Sequence, residues 1–380
     1  MGNRIIKFIY NILRFNEIKF SEGLLHLSSL PYTYFEVQSF SDYLLFIQNE
    51  FDEQYKKIIY EIGRNQGKMG ALIIIKRFGF IFKGSYKMFI EQSDLIGYGS
   101  AELYSVNEEK KEYKIRITNM PIALKANQSK KSKEVMNFYF SGLISGVLET
   151  IHKKNFYTIE TQCLGRGDKS CNFVCKLEKK KDLNENHLKI EKEIEKCFTS
   201  VFAKLKSISN NKKEKLPFSF TEGSVGFENT QGVLFPCYCI VILNKKLEEI
   251  NNKKARKALM LLAEGHVKRI IKKRNQEIKT KDELIFFLNR LSLSCFGKFI
   301  IVKSNLKNLE FIIKNINNPF ADEYKKIFGI SKNPTDLFLA QVLENLFQTL
   351  FTEKFKCEEL ICIAQGKKEC VFVIKSLSKI

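Results

Sequence analysis

Apolar and polar residues follow two different periods along the chain. In the segment DEQYKKIIYEIGRNQG the apolar side chains share one face at helical spacing: Tyr55, Ile58, Ile59 and Ile62. This spacing predicts an amphipathic helix. The segment KEYKIRITN has a period of two, which is typical of a half-buried strand. Because both patterns alternate along the chain, we predict an α+β fold in which helices pack on an antiparallel sheet.

The pattern recurs about two hundred positions later in the chain. SEGLLHL, at Ser21, matches TEGSVGF, at Thr221, and RITNMPIAL around Pro121 matches NINNPFADE around Pro319. The offset between matching segments stays near 198–200. Since a fixed offset over many segments indicates an internal repeat, we predict two tandem homologous modules.

The expected domain boundaries follow from this repeat. They are an N-terminal helix and lead-in over 1–20, the first module over 21–178, a helical linker over 179–216, and a second, more divergent module over 217–380. Apolar linker residues step by three and four: Ile190, Ile194, Cys197, Val201, Leu205 and Ile208. We therefore predict a long helix that joins the modules. Such a helix most often packs on a core, although residues 183–208 could instead bind a partner protein or form a homodimer.

Each module ends with a glutamate and two cysteines at the same spacing. These residues are Glu160, Cys163 and Cys171 in ETQCLGRGDKSCNF, and Glu359, Cys362 and Cys370 in EELICIAQGKKECVF. With cysteine this scarce, a chance second copy has a probability of roughly a few percent. The stretch is therefore predicted to be one hairpin used twice, with its two strands joined by a glycine-containing turn.

The hairpin has a chemistry that suits a metal ion. Two strands joined by a tight turn would bring both thiols and the carboxylate together, and thiolate and carboxylate ligands suit zinc. We therefore predict zinc at the hairpins, one or two ions per chain. Two other interpretations stay open: a pair of buried free thiols, and a regulatory disulfide, which a reducing compartment disfavours.

Composition indicates the compartment. Ten cysteines in 380 residues are too few for a disulfide scaffold, and Lys7 interrupts the apolar start RIIKFIYNIL, unlike a secretory leader. No apolar run reaches the length of a membrane span. We therefore expect a cytoplasmic protein with free or metal-bound thiols.

The formal net charge of +21 would suit a nucleic-acid or anionic-membrane partner. The lysines are scattered, however, and the densest clusters, at 179–181 and 212–215, fall in the linker, where we expect them to be solvated. No helix carries a recognisable DNA-reading pattern. Nucleic-acid binding is therefore an alternative and not the favoured interpretation.

The end of each module resembles the 4-vinyl reductase domain family. That family's pattern is a helix with G-x-x-x-G, then Glu, two residues, Cys, a glycine-containing turn and Cys, as in SGLISGVLETIHKKNFYTIETQCLGRGDKSCNF. The resemblance is looser over the rest of each module, and the second module has Ala340 and Glu344 in place of the glycines. It implies a fold similar to that of vesicle-tethering complex subunits.

The resemblance also implies a set of zinc ligands. In the family's phenol-responsive sensors, zinc is held by one glutamate and three cysteines. Three of these positions correspond to Glu160, Cys163 and Cys171, and again to Glu359, Cys362 and Cys370. The remaining cysteine position holds Asn137 in the first module and Asp336 in the second. Because a carboxylate is an acceptable zinc ligand and an amide a poor one, the second site is expected to be the more complete.

The resemblance implies a sensor or regulatory protein that binds a hydrophobic or aromatic small molecule and signals through a partner. The ligand is expected beneath the helix that carries Gly142 and Gly146. One alternative is a scaffold that binds a protein, a nucleic acid or a membrane surface through its basic face, and another is an accessory of a reductase-type enzyme. We expect no catalysis by the chain, because none of its four histidines stands at a catalytic spacing and no phosphate-binding glycine loop occurs.

Overall fold

The structure, a computed structural model, has two halves with the same order of elements. It describes residues 18–27, 30–78, 90, 96–128, 136–178, 185–203, 216–221, 223–227, 229–271 and 280–379. The helix predicted within residues 1–20 therefore lies almost wholly outside the described residues, as does the last part of the predicted linker helix.

The first half contains seven strands and three helices among the described residues: β1 (Ile18–Ser21), β2 (Leu24–Leu27), β3 (Leu30–Glu36), α1 (Val37–Phe78), β4 (Ala101–Asn107), β5 (Glu112–Ile117), α2 (Pro121–Gln128), α3 (Phe138–His152), β6 (Phe156–Gln162) and β7 (Cys171–Leu177). The linker contributes α4 (Glu185–Ala203). Helix α1 consists of two helical segments that meet at a kink at Asp52, where φ is 44°.

The second half repeats the order of these elements, with α6 described between its long helix and β11: β8 (Phe218–Thr221), β9 (Ser224–Phe227), β10 (Thr230–Pro236), α5 (Cys237–Ile270), α6 (Lys281–Leu293), β11 (Lys298–Asn305), β12 (Glu310–Ile316), α7 (Pro319–Phe328), α8 (Leu337–Phe351), β13 (Phe355–Ile361) and β14 (Cys370–Ser376). Helix α5 is kinked at Asn251, which corresponds to the kink in α1. The predicted α+β class, with antiparallel sheets packed against helices, is confirmed.

One sheet is shared by the two halves. Its strand order is β1-β2-β3-β10-β9-β8, and the central pair β3 and β10 is antiparallel with Tyr34 opposite Leu234. These two residues are 200 positions apart, which is the offset of the sequence repeat, so the pairing has a local two-fold axis between them. Every residue of β3 is buried. The halves are therefore joined through the core as well as by the linker.

Two reciprocal turn contacts extend this connection. The main-chain N–H of Gly99 donates to the carbonyl oxygen of Gly223 (3.0 Å), and that of Gly297 donates to Gly23 (3.0 Å). A Cβ at Gly23 would lie 2.4 Å from the carbonyl oxygen of Gly297. Each N-terminal hairpin therefore touches the four-stranded sheet of the opposite half.

Each half also has its own four-stranded antiparallel sheet. The orders are β4-β5-β7-β6 in the first half and β11-β12-β14-β13 in the second. In both sheets the side chains alternate between a buried face and a more exposed face. The strand that ends each half is therefore an inner strand of its sheet, and the preceding strand forms the edge.

The linker helix α4 faces the core. Ile194, Cys197 and Val201 are buried, and the helix contacts α1, α5 and α7. Leu205 and Ile208 lie outside the described residues. The apolar stripe that could have paired with another chain is thus covered, over its described part, by both halves of the same chain.

Helices α1 and α3 cross with direct contact between their backbones. A Cβ at Gly142 would lie 1.9 Å from the carbonyl oxygen of Tyr60, and one at Gly146 would lie 1.8 Å from that of Arg64. The expectation that the glycine pair permits close approach of a neighbouring helix is confirmed. It also follows that α1 fills the space against the glycine face of α3, where the small-molecule ligand was expected.

The second half lacks this glycine contact. The sequence alignment put Ala340 and Glu344 at the glycine positions, which is one residue too early. Helices α3 and α8 begin at Phe138 and Leu337, an offset of 199. Gln341 and Asn345 therefore stand at the glycine positions, and Ala340 and Glu344 do not. The one-residue error arose because a helix without its glycines offers no fixed point for the alignment.

We expect Gly146→Ala to destabilise the protein by about 3 kcal/mol, because the added methyl group meets a main-chain atom that cannot move without separating α1 from α3. Urea unfolding followed by circular dichroism measures this change. Gly70→Ala is the matched control, since no atom lies within 4 Å of the position that its methyl group would take. It should stabilise by about 0.5–1 kcal/mol through helix propensity. Equal effects of the two variants would contradict the crossing.

Candidate functional site

The first Glu/Cys/Cys group lies at the tip of the hairpin formed by β6 and β7. Glu160 stands on β6 beside a bulge, Cys163 follows the strand, and Cys171 begins β7. Between the cysteines a single 3₁₀ turn ends at Gly167, which has φ of 100°. One ligand atom from each of the three residues lies within 4.8 Å of the other two. The predicted convergence of these three side chains is therefore present.

The second group has the same arrangement on β13 and β14. The ligand atoms of Glu359, Cys362 and Cys370 again lie within 4.8 Å of one another. The two Sγ atoms are 3.9 Å apart, and the main-chain N–H of Ile363 donates to the Cys370 Sγ (3.3 Å). In the first hairpin the N–H of Leu164 donates to Cys171 in the same way (3.3 Å). The turn thus directs a backbone donor at the second thiol in both halves.

An asparagine amide occupies the middle of the first group. The Asn137 Nδ2 atom donates to Glu160 Oε1 (2.5 Å) and lies 3.5 Å from the Sγ atoms of both Cys163 and Cys171. The main-chain N–H groups of Met136 and Asn137 donate to the other carboxylate oxygen. A polar N–H₂ group therefore supplies the positive partial charge that these three acceptors share.

The second group has a different arrangement of the corresponding residues. Asp336 donates its main-chain N–H to Glu359 Oε2 (2.9 Å), but its carboxylate caps α8 by accepting from the N–H of Leu339 (2.9 Å). The same carboxylate accepts from Asn318 Nδ2 (2.6 Å), which also donates to the Cys370 Sγ (3.3 Å). Asp336 thus borders the group and is not one of the three residues whose ligand atoms converge.

Asn318 is a contributor that the sequence analysis did not identify. It begins α7 and corresponds to Met120 of the first half, by the offset of 198 that relates NINNPFADE to RITNMPIAL. Each group therefore has one asparagine amide beside its thiols, from α3 in the first half and from the start of α7 in the second. The sequence does show that Asn318 stands where the first half has Met120. The meaning of this difference comes from the contact between Asn318 and Cys370, which are 52 positions apart in the chain.

Burial and the closeness of the acidic groups shift the pKa values in and beside the second group. Burial, followed by the nearby Cys362, raises the pKa of Glu359 to about 8. Burial, followed by the charge of Glu359, raises the pKa of Asp336 to about 7. The hydrogen bond between the thiols lowers the pKa of Cys362 to about 6 and raises that of Cys370, which donates it. The group therefore holds several acidic residues close together without full ionisation.

The second group fits a metal ion better than the first. Glu359 Oε1 is buried and accepts no hydrogen bond from any described residue. Two thiols and a free carboxylate oxygen are three of the four ligands of a tetrahedral zinc site. In the first group Asn137 already satisfies the carboxylate and contacts both sulfurs. A cation and this amide would compete for the same acceptors.

The remaining cysteines do not extend either group. All ten cysteines are buried free thiols. Cys175 lies four residues after Cys171 on the buried face of β7, and burial raises its pKa to about 12. Cys175 is not part of the convergent group.

A cleft of about 440 Å³ lies between the linker helix and the two long helices. Its walls are formed by Lys57 and Ile58 of α1, Lys189 and Ile190 of α4, and Lys246 and Ile250 of α5. Glu193 and Glu249 hold the Lys246 Nζ atom at 2.7 and 2.8 Å. The sequence analysis did not predict this cleft, because its three walls are far apart in the chain.

No family model matches the chain, and no curated protein matches it. Solved structures that match include the phenol-responsive sensory domain of the transcription activator PoxR with phenol, with 14% identity and a TM-score of 0.38 over 43% of this chain and 87% of that chain. No helix in the described part of the chain is long and apolar enough to cross a membrane.

Two further structures match over shorter stretches. A vinyl-4-reductase family protein from Methanocaldococcus jannaschii has 23% identity and a TM-score of 0.23, with 32% of this chain and 64% of that chain covered. Trafficking protein particle complex subunit 3 from Naegleria fowleri, covalently bound to palmitic acid, has 14% identity and a TM-score of 0.28, with 37% of this chain and 93% of that chain covered. At TM-scores below 0.5 these similarities do not indicate what the chain binds.

We expect the contribution of Glu359 to the stability of the metal-free protein to fall as the pH rises, because Glu359 stays protonated in the folded state up to a pKa of about 8, whereas in the unfolded state it ionises near its ordinary pKa of 4.5. The unfolded state then binds fewer protons, which costs about 1.4 kcal/mol per pH unit between these values. Urea unfolding in EDTA between about pH 5.5 and pH 7.5 should show a smaller loss for Glu359→Gln.

Glu358→Gln is the control for this measurement. Glu358 is exposed, and its partner Lys356 lowers its pKa. This variant should keep the pH dependence of the wild type. A Glu359→Gln protein with the wild-type pH dependence would show that the Glu359 carboxyl group is ionised in the folded protein.

Proposed function

We propose that the chain is a small-molecule-binding regulatory protein whose ligand occupies the cleft between α1, α4 and α5. The observation that carries this proposal is the position of the linker helix, which forms one wall of the cleft. A molecule bound there touches both halves and the segment that connects them. Its binding can therefore change how the linker packs, which is the change that a partner protein would detect.

The linker is held beside the cleft by charged contacts that a ligand could alter. Glu191 of α4 lies 3.3 Å from Arg64 of α1, and Arg64 also pairs with Glu149 of α3 at 2.6 Å. On the other side, Glu193 of α4 pairs with Lys246 of α5. The linker thus bridges the long helices of both halves through two separate ion pairs, one to α1 and one to α5.

The walls of the cleft favour an apolar molecule with an acidic group. Three isoleucines, Ile58, Ile190 and Ile250, offer apolar surface, and three lysines stand beside them. Among the described residues, close carboxylates neutralise only Lys246 of these three. The volume falls within the range of sites for small organic molecules. An aromatic or aliphatic carboxylate, phenolate or sulfonate has the matching chemistry.

We further propose that Glu359, Cys362 and Cys370 hold one zinc ion that fixes the hairpin of the second half. The support is the convergence of the three ligand atoms and the buried Glu359 oxygen without a hydrogen-bond partner among the described residues. Asp336 or a water molecule could complete the coordination. When bound, zinc would replace the protons that these groups share and would tie β13 to β14.

Metal analysis of the purified protein tests the zinc proposal. We expect about one zinc ion per chain, lost in Glu359→Gln and in Cys362→Ser because each removes a ligand. Cys163→Ser is the matched control in the first half and should keep the zinc, since Asn137 occupies that group. Circular dichroism should show that the variants are folded. Two ions per chain, or zinc retained in both second-half variants, would contradict the assignment.

Binding of 1-anilinonaphthalene-8-sulfonate, an apolar aromatic anion, tests the cleft. We expect the double variant Lys57→Gln and Lys189→Gln to weaken its binding about tenfold, measured by fluorescence titration, because two positive charges at the cleft are lost. Lys257→Gln is the control, since Lys257 lies 200 positions after Lys57 and contacts the Phe46 ring.

Hydrogen exchange in residues 185–203 should slow when this probe is bound to the wild type, because the probe contacts the linker helix. Unchanged exchange in α4, or equal affinities for the double variant and its control, would contradict binding in the cleft.

A further inference from the structure

The second-half sheet has an unusually apolar outer face. Its aliphatic residues come from all four strands: Ile300, Val302, Ile312, Leu360, Ile361, Val371 and Val373. The strand register aligns Ile300, Lys314, Val371 and Ile361 in one row across the sheet. Val302 is 52% exposed and Leu360 is 56% exposed, whereas Val371, in the middle of the row, is 9% exposed. An antiparallel sheet with one solvated face normally carries polar residues there.

The corresponding face of the first half is polar at five of these seven positions. At the positions of Ile300, Ile312, Leu360, Ile361 and Val371, the first-half sheet carries Glu102, Lys114, Thr161, Gln162 and Asn172. Both sheets have the same strand order and a bulge at the same place in the first strand. The first-half face carries apolar side chains at other positions, with Tyr104, Tyr157 and Ile159 exposed by 40%, 48% and 46%, so the second-half face is the more aliphatic of the two.

Charge separates the two faces in the same way. Residues 98–118 and 155–178, which contain the four strands of the first sheet, have seven basic and seven acidic residues and no net charge. The matching residues 296–316 and 354–377 have nine basic and four acidic residues, a net charge of +5. The aliphatic face thus lies on the positively charged one of two otherwise similar sheets.

Half-exposed lysines surround the aliphatic face. The exposed fractions of the Lys303, Lys356 and Lys375 side chains are 54%, 63% and 52%. Lys303 and Lys375 share a single carboxylate, that of Glu310. The ion pairs at this edge therefore leave a positive charge uncompensated.

We propose that this outer face binds the surface of an anionic lipid bilayer, a role independent of the ligand cleft. The aliphatic side chains would enter the boundary between headgroups and acyl chains, and the lysines around them would meet the anionic headgroups. A second copy of the chain fits less well, because two copies of this positively charged sheet would repel. Nucleic acid fits less well because the face has no aromatic ring on which bases could stack.

Co-sedimentation of the full chain with vesicles tests this proposal. We expect binding to vesicles of phosphatidylcholine and phosphatidylserine at about 7:3, a partition coefficient at least tenfold lower for pure phosphatidylcholine, and weaker binding as salt is added. The variant Leu360→Thr, Ile361→Gln and Val371→Asn transfers the first-half residues without changing the charge. It should lower the partition coefficient at least tenfold.

A second variant tests the lysines and a third serves as the control. Lys303→Ser transfers the residue found at Ser105 of the first half and should weaken binding to the mixed vesicles, with no effect on the apolar contact. The control is Val106→Ser on the first-half sheet. It replaces an exposed aliphatic residue by serine, the residue that the second half has at the corresponding position, Ser304. It should bind as the wild type does. Thermal unfolding should show that all variants are folded.

Three results would overturn the proposal. One is the absence of vesicle binding by the wild type. Another is equal binding by the wild type and the aliphatic triple variant. The third is self-association in sedimentation velocity that the triple variant abolishes while vesicles remain unbound, which would assign the face to a second copy of the chain.

Discussion

The pairing of β3 with β10 is the constraint on which the rest of the structure depends. It buries β3 completely and turns two N-terminal hairpins into one six-stranded sheet. Because Tyr34 lies opposite Leu234, the long helices that follow these strands leave the sheet in related directions and contact each other. The linker helix then has two helices, one from each half, on which to pack. The cleft exists only as a consequence of this arrangement.

The two hairpins show how one backbone can support different chemistry. In both halves the strand, the 3₁₀ turn and the second strand bring a carboxylate and two thiols together. Acceptors that are buried together need a positive partner, because leaving them without one costs free energy. The first half supplies the Asn137 amide. The second half places Asn318 at one side, so that one oxygen of Glu359 is left without a donor among the described residues.

The halves differ most where they do not contact each other. The shared sheet and the turn contacts at Gly23, Gly99, Gly223 and Gly297 restrict the backbone in both halves alike. The outer faces of the two four-stranded sheets carry no such restriction, and there the residues differ in polarity and in charge. Surfaces that the fold leaves unconstrained are therefore where the two halves can take different roles.

The sequence by itself determined the α+β class, the spacing of Glu160, Cys163 and Cys171, and the close contact that Gly142 and Gly146 allow. Each follows from local rules: hydrophobic period, turn geometry and the missing Cβ. Only the tertiary structure decided that Asp336 caps a helix, that Asn318 reaches Cys370, and that Lys57, Lys189 and Lys246 line one cleft. These contacts join residues distant in the chain, and their positions depend on how β3 and β10 pair, which no local pattern specifies.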